Sequence, residues 1–360
     1  MRLALAAIVV VALVAFAEGE FATGGSDLMN FKGYGMATLH MWGQEGANPS
    51  MTFDGFANFD WRPQVNDWLC AKVNWKVYTD QDMGGFKLED AYLNLDLTEN
   101  FAVMAGQFKR PWGYAYTRSG SSMYFYDRSI IATQDFSDPN HFDWYGGRDV
   151  GLNIHGDFDV VALDLAFQNG TGDNTEAFGD STTNKQVTVR AEAMPSDWAT
   201  IGLAYGMANR ASTFTEDGAD DETYSAGGID AYAVVKYPLS ETGTLLFTGE
   251  YMMLPWLGPD VEGQDPYDGM AYSVMLGGMF DVDMGRITAV TPAVRYDQVD
   301  PAMADDPGDE WEDNYGAIDF CLNVHTGPMN TLQLGLRNYN FESEDADGHT
   351  DMYANWRMTF

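Results

Sequence analysis

Apolar and polar residues alternate, one for one, through most of this chain. Residues 69–77 set Leu69, Ala71, Val73, Trp75 and Val77 against Cys70, Lys72, Asn74 and Lys76. Residues 186–193 set Val187, Val189, Ala191 and Ala193 against Gln186, Thr188, Arg190 and Glu192. Residues 332–337 set Leu332, Leu334 and Leu336 against Gln333, Gly335 and Arg337. A period of two with one apolar face marks a β-strand that is wet on one side only. The final stretch repeats the pattern, with Met352, Ala354, Trp356, Met358 and Phe360 alternating with Tyr353, Asn355, Arg357 and Thr359. On a soluble domain such an exposed strand would invite edge-to-edge aggregation. In a lipid-embedded barrel it pairs with the first strand and closes the wall.

Sixteen strands are predicted: 28–42, 51–62, 68–79, 86–97, 101–108, 148–157, 160–169, 185–194, 199–208, 228–237, 244–253, 267–280, 287–299, 314–324, 331–341 and 350–360. An even count is expected of a single-chain bacterial barrel. Connector lengths agree with it. Those after even-numbered strands are short, as at 98–100, 195–198 and 281–286, and those after odd-numbered strands are mostly longer and often acidic. Short periplasmic turns opposite longer outer loops are the barrel asymmetry, which puts both termini in the periplasm. The expected fold class is all-β, a 16-stranded antiparallel transmembrane β-barrel over 18–360. A barrel of that size encloses a water-filled lumen rather than a packed core, so its expected product is a pore.

The N-terminus fits this destination. Arg2, the apolar run 3–14 and Ala15-Phe16-Ala17 form the three regions of a secretory signal over 1–17. No later segment is long and apolar enough for a membrane helix. A mean hydropathy of −0.27 suits a wall that is apolar at alternate positions only. The expected location is the bacterial outer membrane, with lipid as the surrounding partner. A net charge of −35 argues against nucleic acid as a partner, because phosphates would be repelled. The two cysteines, Cys70 and Cys321, fall in strands that are not neighbours and are read as separate thiols.

Charge placement adds candidate chemistry. Segment 109–147 is the longest connector and the third outer loop. It is rich in aromatics and carries Lys109, Arg110, Arg118 and Arg128. A long loop in a compact domain is usually functional, and this one is expected to fold toward the lumen as a constriction. An external flap is the alternative. Strand parity points Lys32, Arg62, Lys72, Lys76, Arg190, Lys236, Arg295, Arg337 and Arg357 inward. It also points Asp54, Asp60, Asp90, Asp96, Asp164, Glu192, Glu250, Asp297 and Asp319 inward. The expected pore-lining set is Lys109, Arg110, Arg118, Arg128, Lys32, Lys72, Lys76, Arg190, Arg295, Arg337 and Arg357. Arg295, Arg337, Arg357, Lys32, Lys72 and Lys76 lie on strands that closure brings together. They read either as a basic strip along which anions slide or as partners of wall carboxylates.

The outer loops 209–227, 300–313 and 342–349 are strongly acidic. Asp305, Asp306, Asp309 and Glu310 form a weak Ca²⁺ or Mg²⁺ candidate. The plainer reading is a solvated acidic rim, and no cofactor or dedicated metal is expected. No G-x-S-x-G, H-E-x-x-H or P-loop motif occurs, so no enzyme is expected.

The block Gly106-Gln107-Phe108-Lys109-Arg110-Pro111-Trp112-Gly113 is followed by Tyr126-Asp127-Arg128-Ser129 and Gly147-Arg148-Asp149-Val150-Gly151. Together these segments resemble the phosphate-selective porin O and P family. Asn169-Gly170-Thr171-Gly172, Ala293-Val294-Arg295-Tyr296-Asp297 and Arg357-Met358-Thr359-Phe360 are similar too. The resemblance implies a homotrimer of sixteen-stranded barrels, a third outer loop folded into each lumen, and basic lumen residues that draw anions. The acidic mouth departs from an anion pore, because it repels phosphate at low salt. The leading expectation is an outer-membrane porin for small hydrophilic solutes, with anions or phosphate as cargo. A general or cation-preferring porin with an acidic mouth is the alternative. A structural sheath around a separate partner protein, or a barrel enzyme, stands third.

Overall fold

The computed structural model describes residues 31–44, 50–79, 85–132, 147–169, 185–211, 223–255, 268–300, 315–341 and 349–360. The expected signal segment 1–17 lies outside the described residues, as do Asp305, Asp306, Asp309, Glu310 and most of the acidic outer loops.

Among the described residues seventeen strands form one antiparallel sheet. The first nine are β1 (Phe31–Gln44), β2 (Ser50–Trp61), β3 (Gln64–Asn66), β4 (Leu69–Tyr78), β5 (Phe86–Asp96), β6 (Phe101–Lys109), β7 (Arg148–Asp157), β8 (Val161–Gln168) and β9 (Gln186–Ser196). The other eight are β10 (Ala199–Ala211), β11 (Thr223–Ser240), β12 (Gly243–Pro255), β13 (Asp268–Met284), β14 (Ile287–Asp300), β15 (Tyr315–His325), β16 (Asn330–Phe341) and β17 (His349–Thr359). All sixteen expected strands are present. The additional strand, β3, is a three-residue continuation of β2, and both pair with β4, so the wall has sixteen staves.

Neighbours in sequence are neighbours in the wall, and β17 returns to β1. Their register runs from Tyr34↔Thr359 to Gln44↔His349. Gly33 and Phe360 exchange both main-chain hydrogen bonds, at 2.8 and 2.9 Å, so pairing extends to the last residue. A row of buried side chains reinforces this seam from the lumen side. Thr38 donates to the Asn355 carbonyl oxygen at 3.0 Å, Asn355 to that of Gln333 at 2.5 Å, and Gln333 to that of Asn323 at 2.8 Å. Four strands are thus linked by side chains as well as by the ladder.

The alternation sorts residues as lipid and water require. In β8, Leu163 and Phe167 face out and are 43% and 45% exposed, while Ala162, Asp164, Ala166 and Gln168 are buried inside. Leu203, Phe320, Leu334 and Trp356 likewise remain exposed on the outer face. Such a belt is stable only against lipid or another apolar surface.

Candidate functional site

The connector from β6 to β7 determines what the lumen can do. Its described part, residues 110–132, turns inward at Gly113, whose φ of 72° lies in the left-handed region that favours glycine. There follow a single helical turn, α1 (Tyr114–Thr117), and two 3-10 turns, Gly120–Ser122 and Ile130–Ala132. Cations on the loop and at its root hold its shape. Lys109 Nζ donates to the carbonyls of Tyr116 (2.9 Å) and Arg118 (3.3 Å). Arg128 donates to the carbonyls of Ala115, Tyr116 and Arg118. Arg118 lies over the rings of Tyr114 and Tyr124, 5.5 and 5.3 Å from their centroids. Burial raises the pKa of the Tyr114 and Tyr126 phenols, so both rings stay neutral. Arg110 turns to the wall and donates to the side-chain carbonyl of Gln186 on β9.

The loop packs onto the inner face of β10–β17 by a consistent polarity. Its N–H groups meet carboxylates: Gly113 with Asp230 at 3.1 Å, Ala115 with Glu250 at 2.9 Å, and Ile130 with Asp297 at 3.1 Å. Its carbonyls meet donors: Met123 with Arg357 at 2.5 Å, Tyr124 with Asn323 at 2.8 Å, and Arg128 with Arg295 (3.0 Å) and Arg337 (3.2 Å). Between these bonds the contact is apolar. Trp112, Ile130 and Ile131 pack on Ala204, Met252, Ala271, Val299 and Ala317. Phe125 packs on Leu246, Met275, Ala293 and Cys321. Burying each large apolar side chain contributes about 1.5–3 kcal/mol.

The expectation of a lumen without a packed core is therefore corrected. On the β10–β17 side the inner wall carries Ala, Leu and Met at lumen positions, and the loop covers them. The alternation pattern could not reveal this, because it distinguishes the two faces of a strand and not a wet lumen from one filled by a loop.

The remaining space is a cavity of about 850 Å³ along β1–β9, bounded also by the end of β17 and by loop residues 111, 114 and 117–121. Its wall is an ion-pair lattice. Lys72 meets Asp90 at 2.6 Å and Asp60 at 3.8 Å, and Lys76 meets Glu89 at 3.4 Å. Arg148 bridges Glu89 (2.5 Å) and Asp90 (2.6 Å). Further along the wall, on β8, Asp164 holds both Arg190 (2.6 Å) and His155 (2.9 Å). Among the described residues, nine basic ones border the cavity: Lys32, Arg62, Lys72, Lys76, Lys109, Arg118, Arg128, Arg148 and Arg190. Six acidic residues do so: Asp60, Glu89, Asp90, Asp96, Asp164 and Glu192.

Of the expected pore-lining residues, Lys32, Lys72, Lys76, Lys109, Arg118, Arg128 and Arg190 border this cavity, while Arg110, Arg295, Arg337 and Arg357 lie elsewhere. The last three are buried beneath the loop, and Arg295 and Arg337 both pair with Asp319. The idea of a continuous basic strip is thus corrected: its β14–β17 half clamps loop carbonyls. Sequence reasoning missed three residues. Strict alternation with the inward Asp90 would turn Glu89 outward, but the β4–β5 register slips between Asn74↔Asp90 and Trp75↔Leu88, and this bulge turns Glu89 inward beside Asp90. Arg148 sits at the loop–strand junction, where parity gives no direction. Asp230 was an inward position by parity and went unremarked, for want of a partner in sequence. Both cysteines are free. Among the described residues no group of three or more His, Cys, Asp or Glu side chains could hold a metal.

A closed barrel of this size, with an inward loop and a charged wall, defines an outer-membrane diffusion channel. Residues 63–228, from the turn before β3 into β11, match the model of the family described as phosphate-selective porin O and P. No curated protein matches the chain. Solved porins share the fold at low identity. OprB of Pseudomonas putida superposes with a TM-score of 0.67 at 8% identity, over 93% of this chain and 94% of its own. The anion-selective porin from Comamonas acidovorans gives 0.62 at 11%, over 92% and 99%. OmpT of Vibrio cholerae in its trimer form gives 0.52 at 13%, also over 92% and 99%.

Proposed function

We propose that this porin prefers anions, phosphate among them, and passes them along the β1–β9 side of its lumen. One observation carries the reading. The whole chain has a net charge of −35, yet among the described residues the cavity is bordered by nine basic and six acidic side chains. The sign of charge is reversed where a solute must pass. The excess sits on the loop side. No carboxylate comes within 4 Å of Lys109, Arg118 or Arg128 among the described residues, and the recorded hydrogen bonds of all three go to neutral groups. The charges of Arg118 and Arg128 stay available to an anion, whereas Lys72, Lys76 and Arg148 are largely cancelled by Glu89 and Asp90. Fixed cations in a narrow, low-dielectric passage raise the local anion concentration and exclude like charge. No catalytic step is needed, since diffusion down a gradient suffices.

The matched family supports phosphate as one such anion. The exposed apolar belt, together with the trimer form of OmpT, supports a homotrimer set in outer-membrane lipid. Ion substitution in planar bilayers tests the preference. Replacing chloride with a bulky anion should cut single-channel conductance several-fold, while replacing potassium with a bulky cation should leave most of it. The opposite pattern would reject the reading in favour of a cation-preferring porin.

A further inference from the structure

Asp230 on β11 and Glu250 on β12 stand apart from the other lumen carboxylates. Asp230 is 0% and Glu250 4% exposed. Among the described residues neither has a Lys, Arg or His within 4 Å, whereas Asp90, Asp164 and Asp319 each hold two bases. Each accepts from the loop main chain: Asp230 Oδ2 from the Gly113 N–H and Glu250 Oε2 from that of Ala115. The other oxygen of each, Asp230 Oδ1 and Glu250 Oε1, is buried without a hydrogen-bond partner. They sit diagonally on paired strands, in the register Asp230↔Met252 and Tyr232↔Glu250, and grip the same turn of the loop.

Two ionised carboxylates cannot share a dry site without a cation. The desolvation of each and their mutual repulsion are both relieved by one proton. A single proton also gives the pair a donor for the two oxygens that otherwise have none.

We propose that Asp230 and Glu250 hold one proton between them, and that this singly protonated pair is the positioning element that seats the constriction loop at Gly113–Ala115. The charged groups around them are otherwise engaged. Arg190 on β9 belongs to Asp164 (2.6 Å) and Glu192 (3.7 Å). Tyr232 donates to Glu192, and the Tyr114 ring packs on that of Tyr232 with centroids 5.3 Å apart. Asp297 on β14 pairs with Arg295 at 3.1 Å. None of these supplies the missing charge. When the shared proton leaves at alkaline pH, two adjacent buried anions remain, and their repulsion loosens the turn they hold. The pore then becomes wider and noisier.

Infrared difference spectra of the folded full-length barrel, with Asp230→Asn and Glu250→Gln, test the assignment. The wild type should show the carbonyl stretch of a protonated carboxylic acid at neutral pH, and both variants should lose it. An Asn or Gln amide can donate where the acid O–H did, so either variant should keep the neutral-pH conductance of the wild type and lose its rise at alkaline pH. Heat-modifiable gel migration selects folded protein, and either variant suffices if the other fails to fold. Absence of the band from the wild type, its retention in the variants, or identical conductance–pH curves would overturn the proposal. None of these readouts depends on ion preference, so failure here is distinct from failure of the anion reading.

Discussion

Arg357, on the strand that closes the barrel, donates to the main-chain carbonyl of Met123 at 2.5 Å. Barrel closure and loop placement therefore share a residue. Both recorded hydrogen bonds of Arg357 go to loop carbonyls, of Met123 and Gly120. Arg357→Ala should leave the barrel folded but free the loop tip. Single-channel recordings should show larger and more variable conductance, and unchanged traces would mean the tip is held by its other contacts alone.

Gly113 offers a sharper perturbation. Its φ is 72°, and a Cβ there would lie 3.0 Å from the Met252 methyl. Left-handed backbone costs about 1–2 kcal/mol for a residue with a side chain, and the close contact adds to that. Gly113→Ala should displace the turn held by Asp230 and Glu250 and raise conductance in the same direction as Arg357→Ala. Wild-type conductance with unchanged noise would show that the turn tolerates a side chain.

The seam ladder bears on stability, and its Gln333 also donates to the loop carbonyl of Met123 at 3.3 Å. Gln333 is 0% exposed and both accepts from Asn355 and donates to Asn323. Gln333→Ala leaves two buried amides short of a partner, at about 1–3 kcal/mol. The temperature at which the folded form is lost on gels should fall clearly, with ion preference unchanged. An unshifted transition would mean main-chain pairing of β17 with β1 suffices.

Glu89 is the residue the alternation pattern placed on the wrong face. It neutralises both Lys76 (3.4 Å) and Arg148 (2.5 Å). Glu89→Gln keeps the shape and removes the charge, so anion preference should increase, read as a larger reversal potential in a salt gradient. The increase should shrink at high ionic strength, where screening shortens to a few ångströms. A fall in anion preference would show that Glu89 does not face the conducting path.

How much of this was legible in the sequence follows from what each element depends on. Strands such as β8 and β17 were readable because lipid on one side and polar groups on the other force a strict period of two. The loop could be recognised by its length and aromatics. The division of the lumen could not. Ala204, Ala271 and Ala317 look like any inward positions until Trp112, Ile130 and Ile131 lie on them. The roles of Arg295, Arg337 and Arg357 were also hidden, because their partners are main-chain oxygens more than 160 residues away. A one-residue bulge, silent in composition, moved Glu89 from lipid to lumen.

The most direct test of the anion reading is the zero-current potential of the purified barrel across a planar bilayer in a potassium chloride gradient. A sign showing chloride to be the more permeant ion is expected, with a smaller magnitude after Arg118→Ala. A sign showing potassium to be preferred would contradict the reading, whatever the conductance.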